Sequence, residues 1–270
     1  MTRIETVFAN LKANNKKALI PYIMAGDPNP SVTVKLMHSL VAHGADVIEI
    51  GLPFSDPMAD GEAVALAGER ALTNGTSTRG AIAMVKEFRK TNTTTPVLLM
   101  GYLNPVEVIG YDAFLALCVE AGVDGLLLVD LPPQEAGTFV TKLKDHAINQ
   151  IFLLAPTTLA ERRKAVLEQG GGFIYYVSVK GVTGSKALDT ADVSAQVQAI
   201  KADTELPVCV GFGIRDGASA KAVAQAADGV IVGSALVKNF ADVGDDKAKI
   251  DEAITAILAK MDELRAAIDE

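Results

Sequence analysis

Short apolar segments alternate with longer segments of helical period from one end of the chain to the other. The apolar segments are continuous, as in parallel strands that are covered on both faces. Eight of them are predicted to be strands: Ala18–Met24, Asp46–Gly51, Pro96–Gly101, Gly125–Val129, Gln150–Leu154, Phe173–Ser178, Pro207–Gly211 and Gly229–Val232. The helices predicted between them include Ser31–His43, Thr78–Thr91, Asp112–Ala121, Pro133–His146 and Asp216–Ala226.

Eight strand–helix units are the number found in a (β/α)8 barrel, which takes about 250 residues. The sequence therefore predicts an α/β protein, a single (β/α)8 TIM barrel over residues 1–270, with an extra N-terminal helix at Thr2–Asn14. An apolar stripe from Ile250 to Ile268 predicts a C-terminal helix on the outside of the barrel. A doubly wound open sheet is the main alternative. It is disfavoured because no G-x-G-x-x-G motif opens a helix after the first strand and no linker divides the chain.

Composition and charge exclude several classes of function. The chain of 270 residues has 25 basic and 33 acidic side chains, a net charge of −8, and 49% apolar residues. This charge disfavours binding to nucleic acids or anionic membranes. No apolar run reaches the roughly 20 residues that span a bilayer, and the N-terminus does not resemble a signal peptide, so we expect a cytoplasmic protein. Cys118 and Cys209 lie in apolar segments and are predicted to be buried thiols.

The three histidines fall on predicted helices, away from the strand ends where barrel enzymes carry their chemistry: His38, His43 and His146. This placement disfavours Ser-His-Asp catalysis, Cys-His catalysis and histidine-ligated zinc. We therefore expect carboxylates to act as the acid and the base, and we expect no metal.

The acidic residues separate by their position relative to the strands. Three precede their strands and are predicted to cap backbone groups at the face opposite the active site: Asp46, Asp124 and Asp228. Four lie within or after strands, on the functional face: Glu49, Asp56, Asp60 and Asp130. Glu49 interrupts an apolar strand, where an unpaired carboxylate would be costly. It is either catalytic or a structural glutamate satisfied by a basic side chain or a backbone donor.

The loop from Gly51 to Gly61 contains two prolines and is stiff enough to hold a side chain over the barrel mouth. Asp60 in this loop is the second candidate carboxylate, although an aspartate before glycine often only forms a turn. Asp56 precedes a proline and is interpreted as structural. Together, Glu49 and Asp60 would supply the acid and base steps.

Glycines follow the last two predicted strands, at the usual phosphate site of such barrels. They occur in Gly211-Phe212-Gly213-Ile214 and in Gly233-Ser234, where Ser234 opens a short helix. Glycine allows backbone N–H groups to approach a phosphate closely, so a phosphorylated small substrate is predicted, although tight turns alone would also use glycine. The long polar segment Ser178–Lys186 is predicted to be a lid, with a mobile surface loop as the alternative.

The segment from Glu49 to Gly61, EIGLPFSDPMADG, resembles the signature of the tryptophan synthase alpha subunit family. Further motifs of that family are matched in the same order by residues 21–28, 130–133, 181–184 and 211–214. The resemblance covers nearly the whole chain. The signature segment is highly specific, whereas the glycine motifs occur in many phosphate-binding barrels.

The resemblance implies retro-aldol cleavage of indole-3-glycerol phosphate to indole and glyceraldehyde 3-phosphate, without a cofactor in this chain. It implies that Glu49 is the acid and base at the reacting carbons and that Asp60 interacts with the indole N–H. Tyr175 would lie near Glu49, and Thr183 would close the lid onto Asp60. The indole pocket would be lined by Tyr22, Met100, Leu127 and Val129. The substrate phosphate would be held by the glycine loops, with Gly184, Gly211, Phe212, Gly213, Gly233 and Ser234.

The family also implies a partner, a pyridoxal-phosphate-dependent beta subunit that receives indole in an alpha2beta2 complex. Its contact surface would include Pro53, Asp56, Asn104 and Pro132. The chain departs from the commoner family pattern at Glu62 and Ala65, in the lid at Lys180, and at Tyr22, where phenylalanine is frequent. The alternatives are a free-standing indole-releasing lyase, a non-catalytic phosphate-binding or activating subunit, and a sugar-phosphate isomerase.

Overall fold

The strands form one parallel sheet in the computed structural model, which describes residues 1–177, 190–211 and 213–270. They are β1 (Ala18–Met24), β2 (Ile48–Gly51), β3 (Val97–Gly101), β4 (Gly125–Leu128), β5 (Asn149–Gln150), β6 (Leu153–Leu154), β7 (Ile174–Val177), β8 (Val208–Gly211) and β9 (Gly229–Val232). Their order in the sheet is β5-β4-β3-β2-β1-β9-β8-β7-β6.

The sheet closes into a barrel through the segment that contains β5 and β6. β5 pairs with β4, and β6 pairs with β7, so the two edges of the sheet belong to one short stretch of chain. Between them the Ile151 N–H donates to the Leu126 carbonyl at 2.8 Å, and the Tyr175 N–H donates to the Phe152 carbonyl at 3.2 Å. The predicted (β/α)8 barrel is confirmed, with the predicted fifth strand divided into two short ladders.

Helices cover the outside of the barrel. In the described residues they are α1 (Arg3–Ala13), α2 (Pro30–Ala42), α3 (Glu62–Thr73), α4 (Thr78–Arg89), α5 (Leu103–Ile109), α6 (Tyr111–Ala121), α7 (Pro133–Asp145), α8 (Ala160–Gln169), α9 (Thr190–Lys201), α10 (Gly217–Ala224), α11 (Ser234–Val237), a 3₁₀ turn (Lys238–Phe240) and α12 (Lys247–Asp269). None of these helices is long and apolar enough to cross a membrane. The buried residues of α12 form the predicted apolar stripe, including Ile250, Ile257, Met261 and Leu264.

The extra N-terminal helix closes the end of the barrel where the strands begin. Ile4 and Phe8 on α1 are buried among the side chains that fill the barrel, and the Phe8 ring lies 5.6 Å from the Phe173 ring. The Thr2 side chain caps α1 by accepting the Glu5 N–H, and Glu5 caps the Thr2 N–H in return. With this end filled, the other end of the barrel, where the strands finish, is left for the site.

Candidate active site

Glu49 is a buried carboxyl group on the second strand of the barrel. It is 1% exposed on β2, and neither carboxyl oxygen has a partner among the described residues. β2 runs between β1 and β3, and Glu49 pairs in register with Tyr22. Burial raises the pKa of Glu49 to about 8, and the nearby charge of Asp60 adds to this shift. Within the described residues, neither a basic side chain nor a backbone donor binds Glu49, so the structural alternative is not supported.

Asp60 reaches the same space from the loop after β2. Tyr102, directly after β3, donates its hydroxyl to Asp60 Oδ1 at 3.0 Å and accepts the Ala59 N–H at 3.0 Å. The Tyr102 ring also lies 5.4 Å from the ring of Phe54 in the same loop. Burial raises the pKa of Asp60, and the hydrogen bond from Tyr102 opposes that shift. Tyr102 therefore fixes the loop that carries Asp60, and sequence reasoning did not find it.

A cavity opens at the barrel mouth between Asp60 and the glycine loops, and Glu49 is buried outside its lining. Its walls are formed by residues from six segments of the barrel: Tyr22, Ala59, Asp60, Gly61, Val64, Met100, Tyr175, Gly213, Ile214, Ile231, Gly233 and Ser234. The cavity combines apolar walls with the carboxyl group of Asp60 and the phenols of Tyr22 and Tyr175. An aromatic ring with one polar N–H fits such a lining.

Two glycines make room for the tyrosine side chains of the cavity. A Cβ atom on Gly51 would lie 2.1 Å from Tyr22 Oη, and one on Gly211 would lie 2.4 Å from Tyr175 Oη. Any larger residue at either position would therefore displace a phenol. Gly211, predicted as part of the phosphate loop, thus also provides the space for Tyr175.

The glycine loops after β8 and β9 also line the cavity. Gly213 has a φ of +79°, a conformation that favours glycine, and Gly233 is the N-cap residue of α11. Ser234 is exposed at the first turn of α11 and, like Gly213 and Gly233, lines the cavity.

The structure brings together most, but not all, of the predicted site residues. Met100 and Tyr175 line the cavity, whereas Leu127 and Val129 belong to the interior cluster of the barrel and do not line it. Thr183, Gly184, Phe212 and the predicted lid at residues 178–186 lie outside the described residues. Asp130 accepts the Leu103 N–H, and Asp56 accepts the Ser55 hydroxyl, so both have local structural roles.

Comparison with known proteins identifies the family. The family model described as tryptophan synthase alpha chain matches residues 8–268. The chain belongs to the tryptophan synthase alpha chain family. The tryptophan synthase alpha chain of Psychrobacter cryohalolentis is 69% identical over 270 residues, covering 100% of this chain and 99% of the relative. That of Acinetobacter baumannii is 57% identical over 270 residues, covering 100% and 99%.

Solved structures of the family have the same fold. Tryptophan synthase subunit alpha from Legionella pneumophila superposes with a TM-score of 0.91 at 46% identity, covering 100% of this chain and 99% of that one. A chain of tryptophan synthase from M. tuberculosis gives a TM-score of 0.87 at 36% identity, covering 99% of each chain. The resemblance stated from the motifs is thereby confirmed, and with it the alpha reaction of tryptophan synthase, a lyase reaction. Pyridoxal phosphate in this enzyme belongs to the beta subunit.

Proposed function

We propose that Glu49 and Asp60 carry out the cleavage of indole-3-glycerol phosphate in this chain, with Glu49 entering the reaction as a neutral acid. The observation that supports this most directly is the buried carboxyl group of Glu49, whose two oxygens have no partner among the described residues. A pKa of about 8 keeps this group protonated at neutral pH. Such a group can give a proton to a substrate that enters the cavity.

In the first step the Glu49 O–H bond breaks and its proton forms a bond to C3 of the indole ring. Positive charge then develops on the ring nitrogen. Asp60, ionised and held by Tyr102, accepts the indole N–H and stabilises this charge within a cavity of low dielectric constant.

In the second step the Glu49 carboxylate removes the proton of the hydroxyl group on the carbon attached to C3. The electrons of that O–H bond form the carbonyl group of glyceraldehyde 3-phosphate, and the electrons of the broken C–C bond restore the aromatic ring of indole. Glu49 is neutral again at the end, so the cycle needs no external acid or base.

Gly213, Gly233 and Ser234 would hold the substrate phosphate. They line the cavity, and the first N–H groups of α11 have no partner within the helix. Tyr22, Met100 and Tyr175 would surround the indole ring. Thr183, Gly184 and Phe212 stay predictions from the family resemblance.

The partner surface is proposed on the same face. Three apolar side chains on loops and helices after the strand ends are largely exposed: Met58 at 83%, Val108 at 80% and Leu159 at 77%. Of the residues named from the resemblance, Asp56 and Asn104 are exposed, Pro132 is half-buried and Pro53 is buried. We assign this face to the beta subunit, and we assign the reaction to the cytoplasm, where the buried free thiols Cys118 and Cys209 stay reduced.

The test is indole release from indole-3-glycerol phosphate by the purified chain, alone and with a beta subunit. Glu49→Gln removes both the acid and the base, so kcat should fall by about 10³-fold or more. Glu87→Gln on α4, whose carboxylate is 55% exposed and paired with Lys90, is the matched control and should keep full activity.

Three outcomes would contradict parts of this proposal. Release by Glu49→Gln near the wild-type rate would exclude Glu49 from the chemistry. Fast release that a beta subunit does not increase would favour a free-standing lyase. No release by the wild type under either condition would leave a phosphate-binding barrel of another function.

A further inference from the structure

The hydroxyl of Tyr22 is a polar group of the cavity that the proposed mechanism leaves without a role. The Tyr22 side chain is 4% exposed, and its ring is packed beside Gly233. It lines the cavity, and its hydroxyl has no hydrogen-bond partner among the described residues. A phenol placed there can donate one hydrogen bond to a group inside the cavity.

The position of Tyr22 directs this hydroxyl to the strand that carries Glu49. Tyr22 and Glu49 are register partners on adjacent parallel strands, so both side chains point to the same face of the sheet. The ring extends from β1 over β2, because its Oη lies 2.1 Å from the position that a Cβ atom of Gly51 would occupy. Gly51 is two residues after Glu49 on β2. The Tyr175 ring crosses instead onto β8, over Gly211.

The mechanism creates a need for a donor at this point. After Glu49 gives its proton to C3, its carboxylate is ionised in a buried position where neither oxygen has a donor among the described residues. Asp60 already accepts a hydrogen bond from Tyr102. A buried anion without a donor is costly, and a hydrogen bond to a charged group offsets part of that cost.

We propose that Tyr22 is a positioning residue whose hydroxyl donates a hydrogen bond to the ionised carboxylate of Glu49. This hydrogen bond forms in the step in which Glu49 and Asp60 are both negative. This inference rests on the proposed function, and it assigns to this chain a polar contact that a phenylalanine at the same position could not make. The hydroxyl stabilises the Glu49 anion without touching the reacting carbons.

The described ionisable groups around Glu49 come from the barrel strands and from the loops at the barrel mouth. The described groups that interact with Glu49 or Tyr22 from the neighbouring elements are Asp60 on the β2–α3 loop, Tyr102 after β3, Tyr175 on β7 and Cys209 on β8. None of them is a cation. Hydrogen-bond donation from a phenol is therefore the means by which these groups can stabilise the Glu49 anion.

The test compares the wild type with Tyr22→Phe, which keeps the ring and its packing and removes one oxygen. Glu49 and Asp60 are titrated by carbon NMR of protein labelled at the side-chain carboxyl carbons of glutamate and aspartate, and their signals are assigned by their absence in Glu49→Gln and Asp60→Asn. Without the donor the ionised form of Glu49 is less stable, so its titration midpoint should be about one pH unit higher in Tyr22→Phe than in the wild type. The kcat of indole release should fall about tenfold, with KM changed less than about threefold.

Tyr176→Phe is the matched control. Tyr176 follows Tyr175 on β7. It is 1% exposed and belongs to the hydrophobic cluster between the barrel and the helices. Its hydroxyl also has no hydrogen-bond partner among the described residues. Removing this hydroxyl should leave the Glu49 midpoint and kcat unchanged.

Two results would overturn the inference. One is a Glu49 midpoint in Tyr22→Phe that matches the wild type. The other is a shift confined to the titration of Asp60, which would assign the hydroxyl to that carboxylate. If the wild type released no indole, the proposed function would fail, and the carbon NMR titration would still decide whether Tyr22 donates to Glu49.

Discussion

At the scale of single residues, the chemistry depends on two carboxyl groups whose surroundings differ. Glu49 is buried and has no hydrogen-bond donor in the part of the chain that the structure describes, and its pKa is raised to about 8. Asp60 is also shifted upward by burial, but the Tyr102 hydroxyl favours its ionised form. At neutral pH a pKa of about 8 keeps Glu49 protonated, whereas the hydrogen bond from Tyr102 favours the ionised form of Asp60, so the two carboxyl groups are suited to different roles.

This pair predicts a bell-shaped dependence of kcat/KM on pH. Activity needs Glu49 protonated, so it should be lost as pH rises through about 8. Activity also needs Asp60 ionised, so it should be lost as pH falls through a pKa above the usual value of that group. Steady-state rates of indole release between pH 5 and 10 would measure both limbs. A rate that rises through pH 8 would mean that Glu49 enters the reaction ionised.

The same shift predicts how stability depends on pH. The folded state binds a proton at Glu49 that the unfolded chain releases above its ordinary pKa of 4.5, so this group makes the fold less stable as pH rises from about 4.5 to about 8. Glu49→Gln cannot ionise. Its stability relative to the wild type should therefore grow over that pH range and level off above it, as urea unfolding at several pH values would measure. A constant difference between the two proteins would contradict the raised pKa.

At the scale of elements, the same aspartate contact is repeated three times where the strands begin. Asp46, Asp124 and Asp228 each precede a strand and accept the N–H of a residue on a neighbouring strand, from Leu19, Val97 and Val208 at 2.8, 2.8 and 2.9 Å. Each is also paired with basic side chains. The three aspartates join adjacent strands at the closed end of the barrel, far from the cavity.

Of the three aspartates, Asp124 is bound by two arginine side chains. It is 3% exposed and binds Arg89 at 2.5 Å and Arg3 at 2.8 Å. Asp124→Ala would leave the largely buried Arg89 without its partner, and unfolding free energy should fall by about 3–5 kcal/mol. Asp112→Ala, which removes an 81% exposed carboxylate paired with Lys142, should cost less than about 1 kcal/mol. Urea unfolding measures both, and equal effects would contradict the assigned role.

The sequence pattern predicts elements better than contacts between them. β1 and β9 have the predicted bounds, whereas the fifth strand is divided because its two ends pair with different neighbours. Glu49 could be found because a charge interrupts an apolar strand. Tyr102 could not, because an aromatic residue after a strand resembles core, and its bond to Asp60 spans 42 positions. The three aspartates before the strands were expected to cap local backbone groups, but each accepts an N–H group of the neighbouring strand instead.

At the scale of the whole molecule, the two ends of the barrel have different tasks. The end where the strands begin is filled by α1 and joined by ion pairs. The end where they finish holds the cavity and exposes Met58, Val108 and Leu159 around it. The proposed contact with the beta subunit lies on this face. A subunit that covers this face would also exclude water from the cavity below.

Val108 allows this arrangement to be tested without changing the cavity. It is 80% exposed on α5 and does not line the cavity. Val108→Asp places a charge on the proposed contact surface, so affinity for a beta subunit should fall about tenfold or more, because a charge buried at an interface is costly. Indole release by the isolated chain should stay unchanged, and only its increase on adding the beta subunit should be reduced.

Val119→Asp on α6, 43% exposed on a helix of the outer layer, is the control and should bind the subunit normally. Calorimetric titration of both variants with the beta subunit decides the matter: equal affinities would place the contact surface on another face of the barrel.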